Sequence, residues 1–497
     1  MKQLLAATTL TALILGGTTG CFAEPAPADG GDQRRLRVGL AFAPNARMSP
    51  FTDDASLVTQ LGVTETLVNL DPDGTVTPAL AERWTVTNPS TVRLTLRSGV
   101  TFHDGTALTA QHAAAALQHA TRARPVPKAL AQIRLTATAT DDRTVELRTA
   151  APDPVLLHRL ATPQLAILAP RAYQSDPAGP DPIGAGTGPF RLTAVRGTSG
   201  ATLQRFDAYW GGAARVAGVD VRFLPDGAAR AGALRAGEVD VINAVPVAQL
   251  PHLGDHRLVE VPLPRTVGLH LNSTAGRPFA DPRLRAAVRA AADPAAIVAS
   301  VYEGRVDVGA GLFGPASAWA ASGRTGRPAT AAAVPAGTRI TLATYTDRPE
   351  LPEAASALTA ALTGRGFAVR TVVREYTALE PDLLAGRFDA VLLTRSYLLD
   401  TGDPIAFLAS DFGCAGSYNL ARFCDRAFDT RVTRAGELTE PAARQNAALQ
   451  LEADLIGRAV VVPLAHERAR IGTTTDVTDV ARDPYERTLV TARTALR

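Results

Sequence analysis

The pair His103–Asp104 is the first place where residue types and spacing could support chemistry. It lies in the segment Leu96–Ala110, "LRSGVTFHDGTALTA". A histidine beside a carboxylate can act as a general base, but a catalytic site also needs a nucleophile, a second base or a metal partner, and none lies at usable spacing. Asp104-Gly105 is typical of a tight turn, in which the aspartate accepts hydrogen bonds from the following amides. The sequence therefore favours an architectural role for this pair.

Other catalytic motifs are absent from the sequence. The segment "HERAR" at His466 does not complete HExxH, and neither G-x-S-x-G nor a Walker A sequence occurs. A secreted hydrolase is therefore a weak alternative, and no enzyme activity is predicted.

Charge and histidine spacing argue against two further classes of function. Lys+Arg number 51 and Asp+Glu 48, a net charge of +3, without the basic runs and interleaved aromatics of a nucleic-acid surface. The eight histidines are scattered, and only His252 and His256 have a ligand-like spacing, in a loop-like segment. The sequence predicts no nucleic-acid partner, no metal site and no cofactor.

The N-terminal residues predict export and lipidation. An apolar run, Leu4–Leu15, precedes small residues and Cys21, as in bacterial lipoprotein signals. Such signals usually carry leucine where this chain has Thr18, so simple secretion stays open as the alternative. We expect an extracytoplasmic protein anchored by Cys21 to the outer face of the cytoplasmic membrane. The predicted segments are a signal peptide, 1–21, and a flexible tether, 22–35.

Cys414 and Cys424 are the two cysteines outside this signal. They enclose the short segment "CAGSYNLARFC", which contains no histidine or further cysteine that could complete a metal site. In an oxidising compartment outside the cytoplasm such a pair is expected to form a disulfide.

Strand-like and helix-like segments alternate from Leu36 onward. Strands are predicted at "LRVGLAFA", "TVRLTLR", "RTVELRTA", "VDVRFLP", "RITLATY" and "FDAVLLT". Two helix starts are well marked, because Asp281 precedes Pro282 and Asp293 precedes Pro294, each an N-cap aspartate with proline at the first helical position. The pattern predicts a mixed α/β fold.

Eight segments in order resemble one protein family. They are "ETLVNLDPDGTVTPALAERWTV", "LTLRSGVTFHDGTALTA", "GTGPFRL", "DAYWGG", "ALRAGEVDVI", "RPFADPRLRAAVRAAADPAAIV", "LLDTGDPIAFL" and "YNLARFCDRAFD". The family is that of the extracytoplasmic solute-binding proteins of ATP-driven importers, family 5, which includes oligopeptide-, dipeptide- and nickel-binding proteins. The resemblance covers nearly the whole chain after the signal.

The resemblance implies a periplasmic-binding-protein-like fold of type II, cluster C, with two lobes and an extra inserted domain. Ligand would be held in the cleft between the lobes, which close by a hinge. The implied boundaries are lobe I at 36–64, 178–268 and 472–497, the inserted domain II at 65–177, and lobe III at 269–471.

The segment "SYLLDTGDPIAFL" carries the ligand prediction. In peptide-binding relatives it resembles a tryptophan followed, three residues on, by an aspartate that receives the peptide's α-ammonium. Tyr397 holds the aromatic position here and Asp400 the carboxylate position. A buried carboxylate is costly unless it is paired, and the nearest cation in sequence, Arg395, stands before Tyr397. The alternatives are a turn-capping Asp400 and a Tyr397 that only lines a core.

The segment "VGLHLNS" resembles the strand that crosses at the hinge and lines the cleft. His270 and Asn272 alternate to the same face of such a strand. We expect Asn272 to contact the ligand, whereas His270 is either a ligand neighbour or a satisfied interior histidine.

The resemblance also implies the partners: a peptide or other small solute, two permease subunits and two ATPase subunits, with the binding protein itself a monomer. ATP must be handled by those other subunits, since this chain lacks a Walker A motif. One alternative within the family is a nickel- or metal-chelate-binding protein, because "ARMSPFTDDA" and "VTETLV" look somewhat like the nickel group. Another is a sensor that presents a bound peptide to a receptor.

Overall fold

The structure is a computed structural model that describes residues 33–497 except 73, 132, 322–332, 336 and 399–400. The predicted signal peptide, Cys21 and nearly all of the predicted tether lie outside the described residues, and so does Asp400. Strands and helices alternate along the described chain, which confirms the predicted mixed α/β class.

The strands of the described residues are β1 Arg35–Leu40, β2 Val68–Leu70, β3 Val76–Pro78, β4 Ala81–Asn88, β5 Thr91–Leu96, β6 Leu135–Ala139, β7 Thr144–Thr149, β8 Phe190–Arg196, β9 Gly200–Arg205, β10 Gly218–Phe223, β11 Val241–Ile242, β12 Arg257–Leu271, β13 Asp307–Val308, β14 Thr338–Tyr345, β15 Phe367–Arg374, β16 Ala390–Ser396, β17 Val461–Thr473, β18 Val477–Thr478 and β19 Ala495–Leu496.

The helices of the same residues are α1 Ala55–Gln60, α2 Ala110–Arg122, α3 Leu156–Leu160, α4 Gly227–Arg235, α5 Pro282–Ala291, α6 Pro294–Ser300, α7 Glu350–Thr363, α8 Tyr376–Leu384, α9 Pro404–Phe412, α10 Arg426–Gly436 and α11 Pro441–Gly457. Short 3-10 helices are Lys128–Leu130, Pro163–Leu165, Pro170–Tyr173, Val247–His252, Pro278–Ala280 and Ala318–Ala321.

One large mixed sheet extends through the molecule. Its strand order is β15-β14-β16-β12-β17-β11-β1-β10-β9-β8, with β13 paired to β17. Strands β12 and β17, of 15 and 13 residues, pair antiparallel along nearly their whole length, so the start of β12 lies beside the end of β17. The register shifts between Pro262 and Thr266, where two prolines interrupt the ladder.

A second, antiparallel sheet stands apart in the first third of the chain. Its order is β4-β5-β7-β6, and α2 packs on it over a core that includes Leu94, Phe102, Leu117 and Leu147. This sheet lies within the predicted insertion, 65–177. The predicted lobe boundaries at Leu269 and Ile471 fall inside the continuous strands β12 and β17, so the division into lobes stays a prediction.

The turn at Asp104-Gly105 is architectural, as predicted. Gly105 has φ +87°, and Asp104 Oδ1 accepts a hydrogen bond of 2.9 Å from the Thr106 amide. His103 is buried, and its Nε2 lies 2.9 Å from the carbonyl oxygen of Gly188. Burial lowers the pKa of His103 to about 4, which makes it a neutral interior histidine at physiological pH.

Local capping explains where the predicted helices begin. Asp281 accepts from the Arg283 amide at 2.8 Å before α5, and Asp293 accepts from the Ala296 amide at 3.0 Å before α6. Further along the chain, Cys414 and Cys424 are joined by a disulfide, with their Cα atoms 4.4 Å apart. Within the described residues, no helix has both the length and the apolar character needed to cross a bilayer.

Candidate ligand-binding site

Tyr397 leads into the loop on which the ligand prediction rests, between β16 and α9. Its side chain is buried, and its hydroxyl lies 3.1 Å from the Gly314 amide and 3.0 Å from Ser317 Oγ. Its ring meets the Phe313 ring edge-on, with centroids 5.1 Å apart. The structure thus supports the interior alternative for Tyr397, which fixes the loop to the core and leaves the ammonium-binding role of Asp400 a prediction.

The acidic residues described nearest to position 400 have internal partners. Asp403 caps α9 through the Ala406 amide at 2.8 Å and is held by Arg444, whose Nη2 lies 2.7 Å from Asp403 Oδ2. Asp411 forms a two-bond pair with Arg395, at 2.6 and 3.0 Å. Both pairs place a buried carboxylate against a guanidinium, the arrangement that satisfies such a charge.

Asn272 and His270 lie inside the protein. The Asn272 amide nitrogen donates to the carbonyls of Gly386 and Phe388, at 3.1 and 2.9 Å, so this side chain ties two backbone segments together. The ligand contact expected for Asn272 stays a prediction beside these internal bonds. His270 is buried and stacks on Phe412, with ring centroids 5.6 Å apart. Burial is the main cause that lowers its pKa to about 3, and the charge of Arg395 adds to the effect. His270 is therefore an interior residue, but its Nδ1 has no hydrogen-bond partner among the described residues, so its role toward a ligand stays a prediction.

Three segments distant in sequence meet beside the 397–403 loop, and we call this contact the seam. Among the described residues it comprises 70–72 and 74 with 158–161, residues 397–398 and 401–403 of the loop, and the C-terminal segment 483–487. A Cβ on Gly402 would lie 2.8 Å from Leu70 Cδ1 and 3.6 Å from His158 Cβ, so the loop lies directly against the first segment. The C-terminal segment also contacts residues 158–161, since Arg487 Nη1 donates to the Ala161 carbonyl at 2.9 Å.

The seam carries unusual polar groups. His158 has a buried Nδ1 without a hydrogen-bond partner among the described residues. Burial lowers the pKa of His158. Asp403 and a hydrogen bond to the Gly74 backbone oppose this shift, whereas Arg444 and Arg487 add to it. The imidazole is consequently neutral at physiological pH. Its hydrogen bond to the Gly74 backbone raises the pKa, as a bond donated by a ring N–H to a carbonyl does, so the unpartnered Nδ1 is left as an acceptor.

A charged network connects the C-terminal segment to the bulge of β12. Arg265 pairs with Glu486 and lies 3.6 Å from Glu467, which Arg348 approaches to 3.4 Å. Burial alone would raise the pKa of Glu467, but Arg348 and Arg265 outweigh it and lower that pKa. The acid is therefore ionised, and the network anchors the C-terminal segment where the two long strands cross.

Sequence reasoning missed His158 and Arg487. Neither stands in a recognisable motif, and Arg487 meets Ala161 across a separation of 326 positions. The only local signal was the turn-like "DPYER", which fixes the backbone of the C-terminal segment without indicating what it contacts.

The sequence profile of the bacterial extracellular solute-binding proteins, family 5 (middle region), matches residues 75–419. The chain belongs to this family. Its members are solute-binding proteins rather than enzymes, as predicted. Two curated relatives are similar to it: a glutathione-binding protein, GsiB, of Salmonella typhi, and a probable ABC transporter periplasmic-binding protein, SapA, of Escherichia coli K12.

The chain spans about half the length of the first of these relatives. GsiB is 28% identical over 269 residues, which cover 52% of this chain and 51% of GsiB. SapA is 27% identical over 354 residues, covering 65% of this chain and 63% of SapA.

Solved structures show the fold over most of the chain. A dipeptide-binding protein from Pseudoalteromonas in complex with Met-Leu matches with a TM-score of 0.78 at 19% identity, covering 93% of this chain and all of that one. NikA from Staphylococcus aureus in complex with Ni(L-His)2 matches with a TM-score of 0.77 at 20% identity, with the same coverage. The predicted periplasmic-binding-protein fold of type II, cluster C, is thereby confirmed.

Proposed function

We propose that the chain is the substrate-binding subunit of an ABC importer that captures peptides between its lobes and delivers them to a membrane permease. The observation that carries the proposal is the seam, where Gly402 of the predicted lobe III and the C-terminal segment each contact the predicted domain II. A ligand in this place would touch both sides of the molecule, so its binding free energy can favour the closed form. The expected partners are two permease and two ATPase subunits, served by a monomer.

The ligand's ammonium is assigned to Asp400. Asp403 and Asp411, the nearest described acids in sequence, already hold Arg444 and Arg395, so neither carboxylate is needed for a ligand cation. The ligands named for similar proteins belong to the same chemical class, since one relative is named for glutathione and a structural neighbour holds Met-Leu. Each of these ligands carries a free amine.

Calorimetry with trialanine and N-acetyl-trialanine tests this assignment. Asp400→Asn keeps the shape of the side chain while removing its charge, and losing a charge-assisted bond in a closed site costs about 2 to 5 kcal/mol. We expect the variant to weaken trialanine by that amount and the acetylated peptide much less. Asp293→Asn, which changes the N-cap of α6, is the matched control and should leave both affinities unchanged.

Equal losses for the two peptides would contradict the role of Asp400. A wild type that binds neither peptide but binds Ni(L-His)2 would replace the peptide proposal with the metal-chelate alternative. That second candidate has one observation in its favour, the neutral His158 at the seam with a buried, unpartnered Nδ1. Metal analysis of protein purified from its own host separates the two.

Anchoring through Cys21 is part of the same proposal. It rests on Gly20-Cys21 following a short apolar run, and it places the binding protein close to its permease. Cys21→Ser should move the protein from the membrane fraction into the medium, as measured by fractionation and immunoblotting. Identical partitioning of variant and wild type would exclude lipidation.

A further inference from the structure

Arg487 has a guanidinium group with unused donors. Its Nη1 donates to the Ala161 carbonyl at 2.9 Å, which fixes the plane of the group across the seam. Its Nε and Nη2 are buried and have no hydrogen-bond partner among the described residues. Because a buried cation is costly without a partner, two unused nitrogens on one edge of the group indicate a place for an anion.

The nearest acid does not supply that anion. Asp483 accepts hydrogen bonds from the amides of Tyr485 at 2.8 Å and of Arg487 at 2.9 Å, which hold its carboxylate in its own turn. The Tyr485 ring lies 5.1 Å from the guanidinium carbon and covers one face of the group. What is left is the Nε–Nη2 edge, whose two nitrogens have no hydrogen-bond partner among the described residues.

The same edge is occupied at other arginines of this chain. Nε and Nη2 each donate to one oxygen of a carboxylate in the pairs Arg35–Asp220 (2.7 and 2.9 Å), Arg395–Asp411 (2.6 and 3.0 Å), Arg444–Asp403 (3.0 and 2.7 Å) and Arg468–Asp307 (3.0 and 2.6 Å). This two-bond geometry matches a planar carboxylate. Arg487 presents the edge without a described partner.

We propose that Arg487 receives the carboxylate of the transported solute through Nε and Nη2. This deepens the proposed function and rests on it, because the solute would then be a zwitterion, with its ammonium at Asp400 and its carboxylate at the seam. His158 lies close enough to Arg487 for the guanidinium to lower its pKa, so the imidazole stays neutral there. The C-terminal segment thereby sets a requirement for a free carboxylate.

Calorimetry with trialanine and its C-terminal amide measures this requirement. The wild type should prefer the free acid at least tenfold, and Arg487→Gln should bind the acid and the amide equally. A wild type without the preference, or a variant that keeps it, would overturn the proposal. The N-acetyl comparison at Asp400 is independent of this one, so either end of the peptide can fail alone.

If neither peptide binds, the peptide proposal itself fails. The stability of the ligand-free protein then tests whether Arg487 is an anion receptor. Arg159 is a matched control: its Nη1 also donates to a carbonyl, of Ala129, at 2.9 Å, but its Nε holds Asp153 at 2.7 Å. Arg159→Gln should lower the apparent melting temperature, whereas Arg487→Gln should leave it equal or raise it, as expected for an anion receptor without its anion. A fall at Arg487 as large as that at Arg159 would make Arg487 structural and overturn the assignment.

Discussion

Glu65 illustrates how strongly single residues of this protein depend on their surroundings. Its two carboxylate oxygens accept hydrogen bonds from Tyr209 Oη at 2.9 Å and Trp210 Nε1 at 3.0 Å, and Arg97 lies over the Trp210 ring at 4.4 Å. Burial nevertheless dominates these favourable contacts and raises the pKa of Glu65 to about 7. The carboxyl group therefore changes charge within the physiological range.

Glu65→Gln should change how stability depends on pH. A carboxyl whose pKa is higher in the folded than in the unfolded state contributes stability that is complete below the unfolded value, about 4.5, and lost as pH rises through the folded value, about 7. Across this window, wild type should lose stability relative to Glu65→Gln by at most about 3 kcal/mol. The side chain is not fully buried, so solvent screening should make the loss smaller than this limit. Apparent melting temperatures from pH 4.5 to 8 measure the difference.

The comparison must be made between variants because the buried histidines act with the opposite sign. Burial lowers the pKa of His103 to about 4 and that of His270 to about 3, so their contribution is lost as pH falls. Subtracting the variant's curve from that of wild type isolates Glu65. The same substitution at the exposed Glu437 is the control, and a wild-type-minus-variant curve as flat at Glu65 as at Glu437 would show that Glu65 keeps an ordinary pKa.

At the scale of elements, the sequence predicted what local chemistry determines. Asp281 and Asp293 predicted the starts of α5 and α6 because an N-cap acts within three residues of itself. The segment "FDAVLLT" predicted β16 because four apolar residues follow one another there, and all four are buried in the structure. The α/β class and the turn at Asp104-Gly105 followed from signals of the same short range.

The elements that the sequence did not predict depend on distant partners. Strand β12 includes Pro262 and Pro264, which ordinarily argue against a strand, and it persists because β17 pairs with it on both sides of the register shift. For the same reason the candidate site was predicted only where a family motif marks it, at Tyr397 and Asp400. Arg487 and His158 enter it through tertiary contacts that no local pattern encodes.

At the scale of the whole molecule, Gly402 is a point of close approach between the two sides of the seam. It has φ +64°, and a side chain there would point at Leu70 and His158 on the other side. Gly237 has almost the same backbone conformation, φ +67°, but a Cβ there would meet nothing within 4 Å. The pair therefore separates the backbone strain of a substituted glycine from a steric block between the lobes.

Both variants should lose about 1 to 2 kcal/mol of stability, because leucine disfavours the left-handed backbone conformation. Gly402→Leu should in addition hold the two sides of the seam apart, whereas Gly237→Leu should not. Since ligand binding is proposed to draw its free energy from contacts on both sides, Gly402→Leu should weaken the peptide that wild type binds at least tenfold while Gly237→Leu leaves that affinity unchanged. Small-angle X-ray scattering with saturating peptide should give a larger radius of gyration for Gly402→Leu than for the other two proteins. If the two variants match in affinity and in radius of gyration, closure at this seam is not what holds the ligand, and the site must be sought elsewhere between the lobes.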